Sequence, residues 1–196
     1  MKGFKKHVVL VLAIAVVLAA CKQPTEQINS AKAALESVMK AGADKYAVDE
    51  YKKLDADLKA ALDEVAAQDK KFFKKFGTAK EMLAKVLTDA DALKAALPAK
   101  IEAAKNLAIQ LQGDARKGLD AAKALLDKAP KGKGTDKDLA ALKGDLEGAD
   151  AEFAGIQKAL DAQDYIGALN TVKSIQAKVA GVKDQIQAAL DKTKKK

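Results

Sequence analysis

Beyond residue 25 the apolar residues of this chain recur at alternating steps of three and four almost everywhere. That period, near 3.5, marks helices packed on one another. The first stripe starts near Thr25, read as the helix cap, and places Ile28, Ala31, Leu35 and Val38 on one side, with Gly42 permitting a turn. Tyr51, Leu54, Leu58, Ala61, Val65 and Phe72 form a second stripe that stops near Gly77. Thr78-Ala79-Lys80-Glu81 has the spacing of a capping box, and from it Ala79, Leu83, Val86, Ala90, Leu93 and Leu97 continue a seam.

Pro98 interrupts that seam, because it lacks an N–H and disfavours helical geometry in the residue before it. Two readings are open: a kink in one long helix, or a new helix with Pro98 in its first turn. The absence of turn residues around Pro98 favours the first. Ile101, Ala104, Ala108, Leu111, Ala115, Gly118, Ala122, Leu125 and Ala129 then keep the alternation. Gly113 and Gly118 each cost about 1 kcal/mol in a helix interior, and beside so many alanines they are read as allowing close helix approach. Pro130-Lys131-Gly132-Lys133-Gly134 is a flexible basic connector. Thr135 or Asp136 caps the next helix. Leu139, Leu142, Leu146, Ala149, Phe153, Ile156 and Leu160 form its stripe. After a break near Gln163, Tyr165, Ala168, Val172, Ile175, Val179, Val182 and Ile186 form the last.

Each stripe is apolar on one side and charged on the other, so the helices need one another. Alanine, leucine, lysine and aspartate dominate and proline is scarce, which favours long helices over sheets. The expectation is an all-α fold: an elongated antiparallel helical bundle or coiled-coil hairpins, in two related three-helix units over residues 26–97 and 98–192. Uninterrupted, residues 78–128 would reach roughly 75 Å at about 1.5 Å per residue. Surface lipid binding by the amphipathic faces themselves is the weaker reading, because the stripes lack the bulky aromatic groups typical of that role.

Residues 1–20 obey a different logic. Lys2, Lys5 and Lys6 give a positive start, an almost wholly apolar run extends from His7 to Val17, and Leu18-Ala19-Ala20 ends in small residues. This is the layout of an export signal, with an apolar run shorter than the roughly 20 residues a permanent spanning helix needs. Leu18-Ala19-Ala20-Cys21 resembles the lipobox of bacterial lipoproteins. The resemblance implies cleavage between Ala20 and Cys21, diacylglycerol on the Cys21 sulfur, and acylation of the new amine by a chain such as palmitate. Two or three acyl chains anchor stably where one gives only marginal binding. Cys21 is the sole cysteine, so no intramolecular disulfide can form. By similarity to enteric lipoproteins, Lys22 after the cysteine favours the outer membrane over the inner. Residues 21–25 then form a short lipidated linker that leaves the folded part close to the bilayer, facing the periplasm.

Loss of residues 1–20 removes three lysines and lowers the formal charge from +8 to +5. Lys192, Lys194, Lys195 and Lys196 hold four of the remaining positive charges at the extreme end, so the body between is near neutrality. A nucleic-acid role would want a clustered basic surface with aromatic stacking groups, and none is expected. His7, the one histidine, departs with the signal, which excludes Ser-His-Asp and Cys-His catalysis and a histidine-ligated zinc. The abundant carboxylates lie on helical faces among lysines, where solvated ion pairs are the ordinary explanation. There is no tryptophan to line a ligand pocket. Neither an enzyme, nor a cofactor, nor a metal site is expected.

Ala31-Lys32-Ala33-Ala34-Leu35-Glu36 recurs as Ala122-Lys123-Ala124-Leu125-Leu126-Asp127, and Tyr51-Lys52-Lys53-Leu54 can be set against Leu139-Ala140-Ala141-Leu142 after a three-residue adjustment. These matches suggest a tandem pair. Residues 41–51, Ala-Gly-Ala-Asp-Lys-Tyr-Ala-Val-Asp-Glu-Tyr, resemble the helix-turn-helix signature of an uncharacterised family of helical envelope lipoproteins, with Val48 where members usually carry proline. Gln163-Asp164-Tyr165-Ile166-Gly167-Ala168-Leu169 looks like a second, weaker copy. In that family the domain often precedes an OmpA-like peptidoglycan-binding domain; this sequence contains none.

The function expected from these features is a non-catalytic scaffold or helix-mediated interaction protein held to the membrane by lipid on Cys21, with peptidoglycan or other envelope proteins as partners. The tail of Lys192-Thr193-Lys194-Lys195-Lys196 resembles, in ending with lysine, the major outer-membrane lipoprotein that is joined to peptidoglycan through its last residue. Attachment through Lys196 stands against the plainer reading of a solvated lysine tail. The alternative function is a binding module for a small ligand or lipid between helices, with Tyr46, Tyr51 and Tyr165 near turns as lining residues.

Overall fold

A computed structural model describes residues 22–129 and 136–194, with residues 192–194 described as backbone only. The chain is all-α. Seven helical segments lie among the described residues: α1 (Thr25–Lys40), α2 (Ala43–Tyr46), α3 (Val48–Asp69), α4 (Gly77–Asp127), α5 (Asp136–Ala151), α6 (Phe153–Asp161) and α7 (Tyr165–Lys194). The chain divides into two compact units whose boundary falls between Lys100 and Ile101. The connector of residues 130–134 and the Thr135 cap lie outside the described residues.

Unit 1 consists of α1, the single turn α2, α3 and the first part of α4. Its core is the seam read from the sequence: Ala31 and Val38 of α1, Leu54, Leu58 and Ala61 of α3, and Leu83, Val86, Ala90, Leu93 and Leu97 of α4 are all buried. Cross-helix polar contacts fix the directions. Gln23, ahead of α1, donates to Asp69 at the end of α3 (2.8 Å), while Glu50 at the start of α3 pairs with Lys100 (2.5 Å). Lys94 donates to Ser37 late in α1 (3.1 Å). Thus α3 runs antiparallel to both α1 and α4.

The turn between α1 and α3 is held by Gly42, whose φ of 96° lies in the left-handed region that glycine enters without steric cost. Its N–H donates to the Met39 carbonyl (2.8 Å), closing the end of α1. A Cβ at this position would sit 3.2 Å from Cδ2 of Tyr46. The buried Ala43 and Ala47 fasten the turn to the core.

Unit 2 packs the second part of α4 with α5, α6 and α7. Ala108, Ala115, Leu119 and Ala122 face Leu142, Leu146, Phe153, Ile156, Val172, Ile175, Val179 and Ile186. The stripe read as one helix from Leu139 to Leu160 is broken at Glu152, between α5 and α6, although Leu142, Leu146, Ala149, Phe153 and Ile156 remain buried together. The break near Gln163 is a Schellman end. The Asp164 N–H reaches the Ala159 carbonyl (2.8 Å), the Gln163 N–H reaches that of Leu160 (3.0 Å), and Gln163 takes a φ of 58°. Asp164 then caps α7 by accepting the Gly167 N–H on Oδ1 (3.1 Å). A Cβ at Gly167 would fall 2.2 Å from the other carboxylate oxygen, so any larger residue there makes the Asp164 carboxylate shift.

Helix α4 is continuous through Pro98, as the favoured reading of one long helix expects. Several local expectations are corrected. Thr25 is the first helical residue rather than the cap: Pro24 precedes it and accepts the Ile28 N–H on its carbonyl (2.9 Å). Likewise α4 begins at Gly77 with Thr78 inside its first turn, and the Phe76 carbonyl accepts the Lys80 N–H (2.9 Å). Leu119, not Gly118, is the fully buried neighbour of Ala115 and Ala122. Gly113 serves no close approach, since a Cβ there would meet nothing within 4 Å. Phe72 is not on the seam at all, as described below. The two turn motifs also occupy different places: the Gly42 turn joins the first and second helices of unit 1, the Gln163 turn the last two of unit 2.

These assignments predict opposite outcomes for two alanine substitutions. Leu83→Ala, at a wholly buried position, should lower stability by about 2–5 kcal/mol. Gly113→Ala should raise it by up to about 1 kcal/mol. Urea unfolding followed by far-UV circular dichroism measures both.

Candidate functional site

The residues singled out for attachment, Ala20 and Cys21 at one end and Lys196 at the other, lie outside the described residues. What the structure describes is the body to which the Cys21 end connects. Gln23 is bonded to Asp69, and Pro24 is buried. The chain therefore enters unit 1 at the end where α3 stops and α4 starts.

That end is built around residues 70–76. Helix α3 closes with the Lys71 N–H donating to the Gln68 carbonyl (3.0 Å). Gln68 is buried, and both ends of its side-chain amide are used: the nitrogen donates to Glu64 (2.7 Å) and the oxygen accepts the Lys75 backbone N–H (3.3 Å). A buried amide satisfied at both ends holds a loop because leaving either group unpaired would cost its desolvation. On the far side of the loop Phe76 is fully buried against Val65, Ala79 and Ile28. Lys74 pairs with Asp69 (2.9 Å).

Between these fastenings Phe72 and Phe73 point outward, 93% and 78% exposed. Their rings meet edge to face, with centroids 4.9 Å apart. Lys70, Lys71, Lys74 and Lys75 flank them. By spacing alone, Phe72 is the next heptad position after Val65. The helix ends at Asp69, however, and Phe76 takes the buried place. The signal available in sequence is the symmetry of Lys-Lys-Phe-Phe-Lys-Lys, which leaves no charged face opposite an apolar one.

A second cluster organises unit 2. Asp150 accepts from both Arg116 and Lys123 of α4, and Arg116, the one arginine of the chain, lies over the Phe153 ring at 3.8 Å from its centroid. Hydrogen bonds from Lys123 and then Arg116 hold the Asp150 carboxyl below its ordinary value. Glu152, at the break between α5 and α6, pairs with Lys178 of α7. These groups are substantially exposed and act as clasps over the core. Among the described residues no group of His, Cys, Asp or Glu could hold a metal ion, and no helix is long and apolar enough to cross a membrane.

The concavities are open troughs between helices. One of about 290 Å³ lies along α3 and α4, with Leu54, Leu93 and Ala96 on its floor and Lys53, Asp57, Asp89 and Lys100 at its rim. None of Tyr46, Tyr51 and Tyr165 lines it; Tyr46 and Tyr51 pack against the core of unit 1 instead. No protein-family model matches the chain, and no curated protein or solved structure matches it significantly.

The Asp150 clasp has a pH signature. Its folded pKa is depressed, so its contribution is present above the unfolded value of about 3.9 and is lost as pH falls through the lower folded value. At neutral pH Asp150→Asn should cost no more than about 1 kcal/mol, because the pair is exposed and screened. The difference between wild type and variant in urea unfolding should vanish on acidification below the ordinary aspartate range and shrink with added salt.

Proposed function

We propose that this chain is a non-catalytic lipoprotein of the bacterial cell envelope, anchored by acyl chains on Cys21 and serving as a helical scaffold for other envelope components. The observation that carries the reading is the succession of positive start, short apolar run and Leu18-Ala19-Ala20-Cys21. The likeness of residues 41–51 to a family of helical envelope lipoproteins supports it. So does the use of the apolar stripes inside each unit, which leaves charged helix faces outward. By similarity to enteric lipoproteins, Lys22 after the cysteine favours the outer membrane for the anchor, with the helices on the periplasmic side. The lysine tail through Lys196 is the part proposed to contact peptidoglycan.

A site-specific test is the mass of the amino-terminal peptide of the protein purified from membranes. It should begin at Cys21 and carry acyl chains; Cys21→Ser should abolish the modification and leave the unprocessed precursor. A peptide that begins elsewhere, or an unmodified Cys21, would sink the anchor. Detergent-boiled sacculi digested with muramidase address the tail. Muropeptide-linked chain that disappears when Lys196 is deleted adds a covalent wall attachment, whereas clean sacculi confine the protein to a lipid-anchored scaffold.

A further inference from the structure

We infer that the loop of residues 70–75 is a second membrane contact, inserting Phe72 and Phe73 into the headgroup region of a bilayer bearing anionic phospholipid, beside the lipidated cysteine. Two exposed phenylalanines in contact form an apolar tip that water disfavours, and aromatic side chains are the groups that settle at a membrane–water boundary. Lys70, Lys71 and Lys75 supply the charge that anionic headgroups attract, Lys74 being paired with Asp69. Phe76 and Gln68 fasten the loop at its base, so the tip is presented without further ordering of the chain.

Placement adds a second, independent argument. The inference rests on the lipid-anchor reading for this step alone. Gln23 is bonded to Asp69, the residue before the loop, and Cys21 precedes Gln23 by two residues, at most about 7 Å of extended chain. Acyl chains on Cys21 would thus enter the bilayer close to where the loop projects. One acylated point leaves a protein free to swivel, and a second contact a short distance away sets which end of unit 1 faces the lipid. The basic and apolar groups belong to one short segment at that end, which favours a lipid surface over a protein partner recognised through a helix face.

The chain contains no tryptophan, so Phe72→Trp installs a single reporter at a solvent-exposed position that the fold does not use. The full-length processed protein carrying it is reconstituted into phosphatidylethanolamine vesicles with and without phosphatidylglycerol. Met39→Trp, at the opposite end of α1 from Gln23, is the control. The expected result is a blue-shifted emission from the loop reporter that brominated acyl chains quench when phosphatidylglycerol is present, with the control reporter unaffected. Adding Lys71→Glu and Lys75→Glu should reverse the shift while far-UV circular dichroism stays unchanged. Replacing both phenylalanines by alanine in an unacylated Cys21→Ser chain should lower partitioning onto the same vesicles by roughly ten-fold or more. Solvent-like emission from the loop reporter on vesicles, with Cys21 shown acylated by mass, would overturn the loop contact and leave the anchor standing. Quenching of the loop reporter with Cys21 unmodified would keep the loop contact and remove the anchor. A shift produced only by added peptidoglycan or envelope protein would overturn it in favour of that occupant.

Discussion

Burial of a one-sided apolar stripe is the constraint on which everything else in this protein depends. Each long helix carries small and branched aliphatic residues on one side and lysine with aspartate on the other. The stripe can leave water only against other stripes, so the helices of each unit bury their apolar sides in a shared core. Alanine at Ala31, Ala61 and Ala90 in one core, and at Ala108, Ala115 and Ala122 in the other, keeps the helices thin where they meet. The ion pairs then lie over the seams. Arg116, Lys123 and Asp150 in unit 2, and Glu50 with Lys100 in unit 1, are partly exposed, and they set direction more than they supply stability.

The same constraint explains why the loop of residues 70–76 is distinctive. Among the other described aromatic residues, Phe76 and Phe153 are buried, and Tyr46 and Tyr51 lean on the core. Phe72 and Phe73 depart from this, at the end of unit 1 next to the chain's entry. Folding of unit 1 does not require them outside, whereas contact with an apolar medium does. The position of the loop therefore belongs to the functional account rather than to the stability of the bundle.

Much of the fold is legible in the sequence because a period near 3.5 survives wherever a helix contributes to one core. Ala79, Leu83, Val86, Ala90, Leu93 and Leu97 are all buried as the spacing requires. The departures share a cause, since periodicity reports which residues could share a face but not where a helix stops. The step from Val65 to Phe72 is a perfect heptad, and nothing in spacing alone distinguishes it from the alternative in which Phe76 completes the core. Steps of three and four continued mechanically past Pro98 land on Gly118, whereas the core takes Leu119. Thr25 and Thr78 look like caps by residue type, but proline and phenylalanine carbonyls precede those helices. The proposed attachment residues Ala20, Cys21 and Lys196 rest on resemblance, because covalent modification of the kind proposed there is not something packing encodes.

Native-state hydrogen exchange on the full chain tests most directly whether the helices stand only by sharing a core. The comparison is wild type against Leu58→Ala, which removes a buried side chain from α3 without touching α4's own sequence. Amides of α4 between Met82 and Leu97 should lose protection together with those of α1 and α3, because a helix of this composition is marginal without its partners. If those α4 amides kept their wild-type protection while α3 opened, the helix would be stable by itself. The packed seam would then not be what holds the fold.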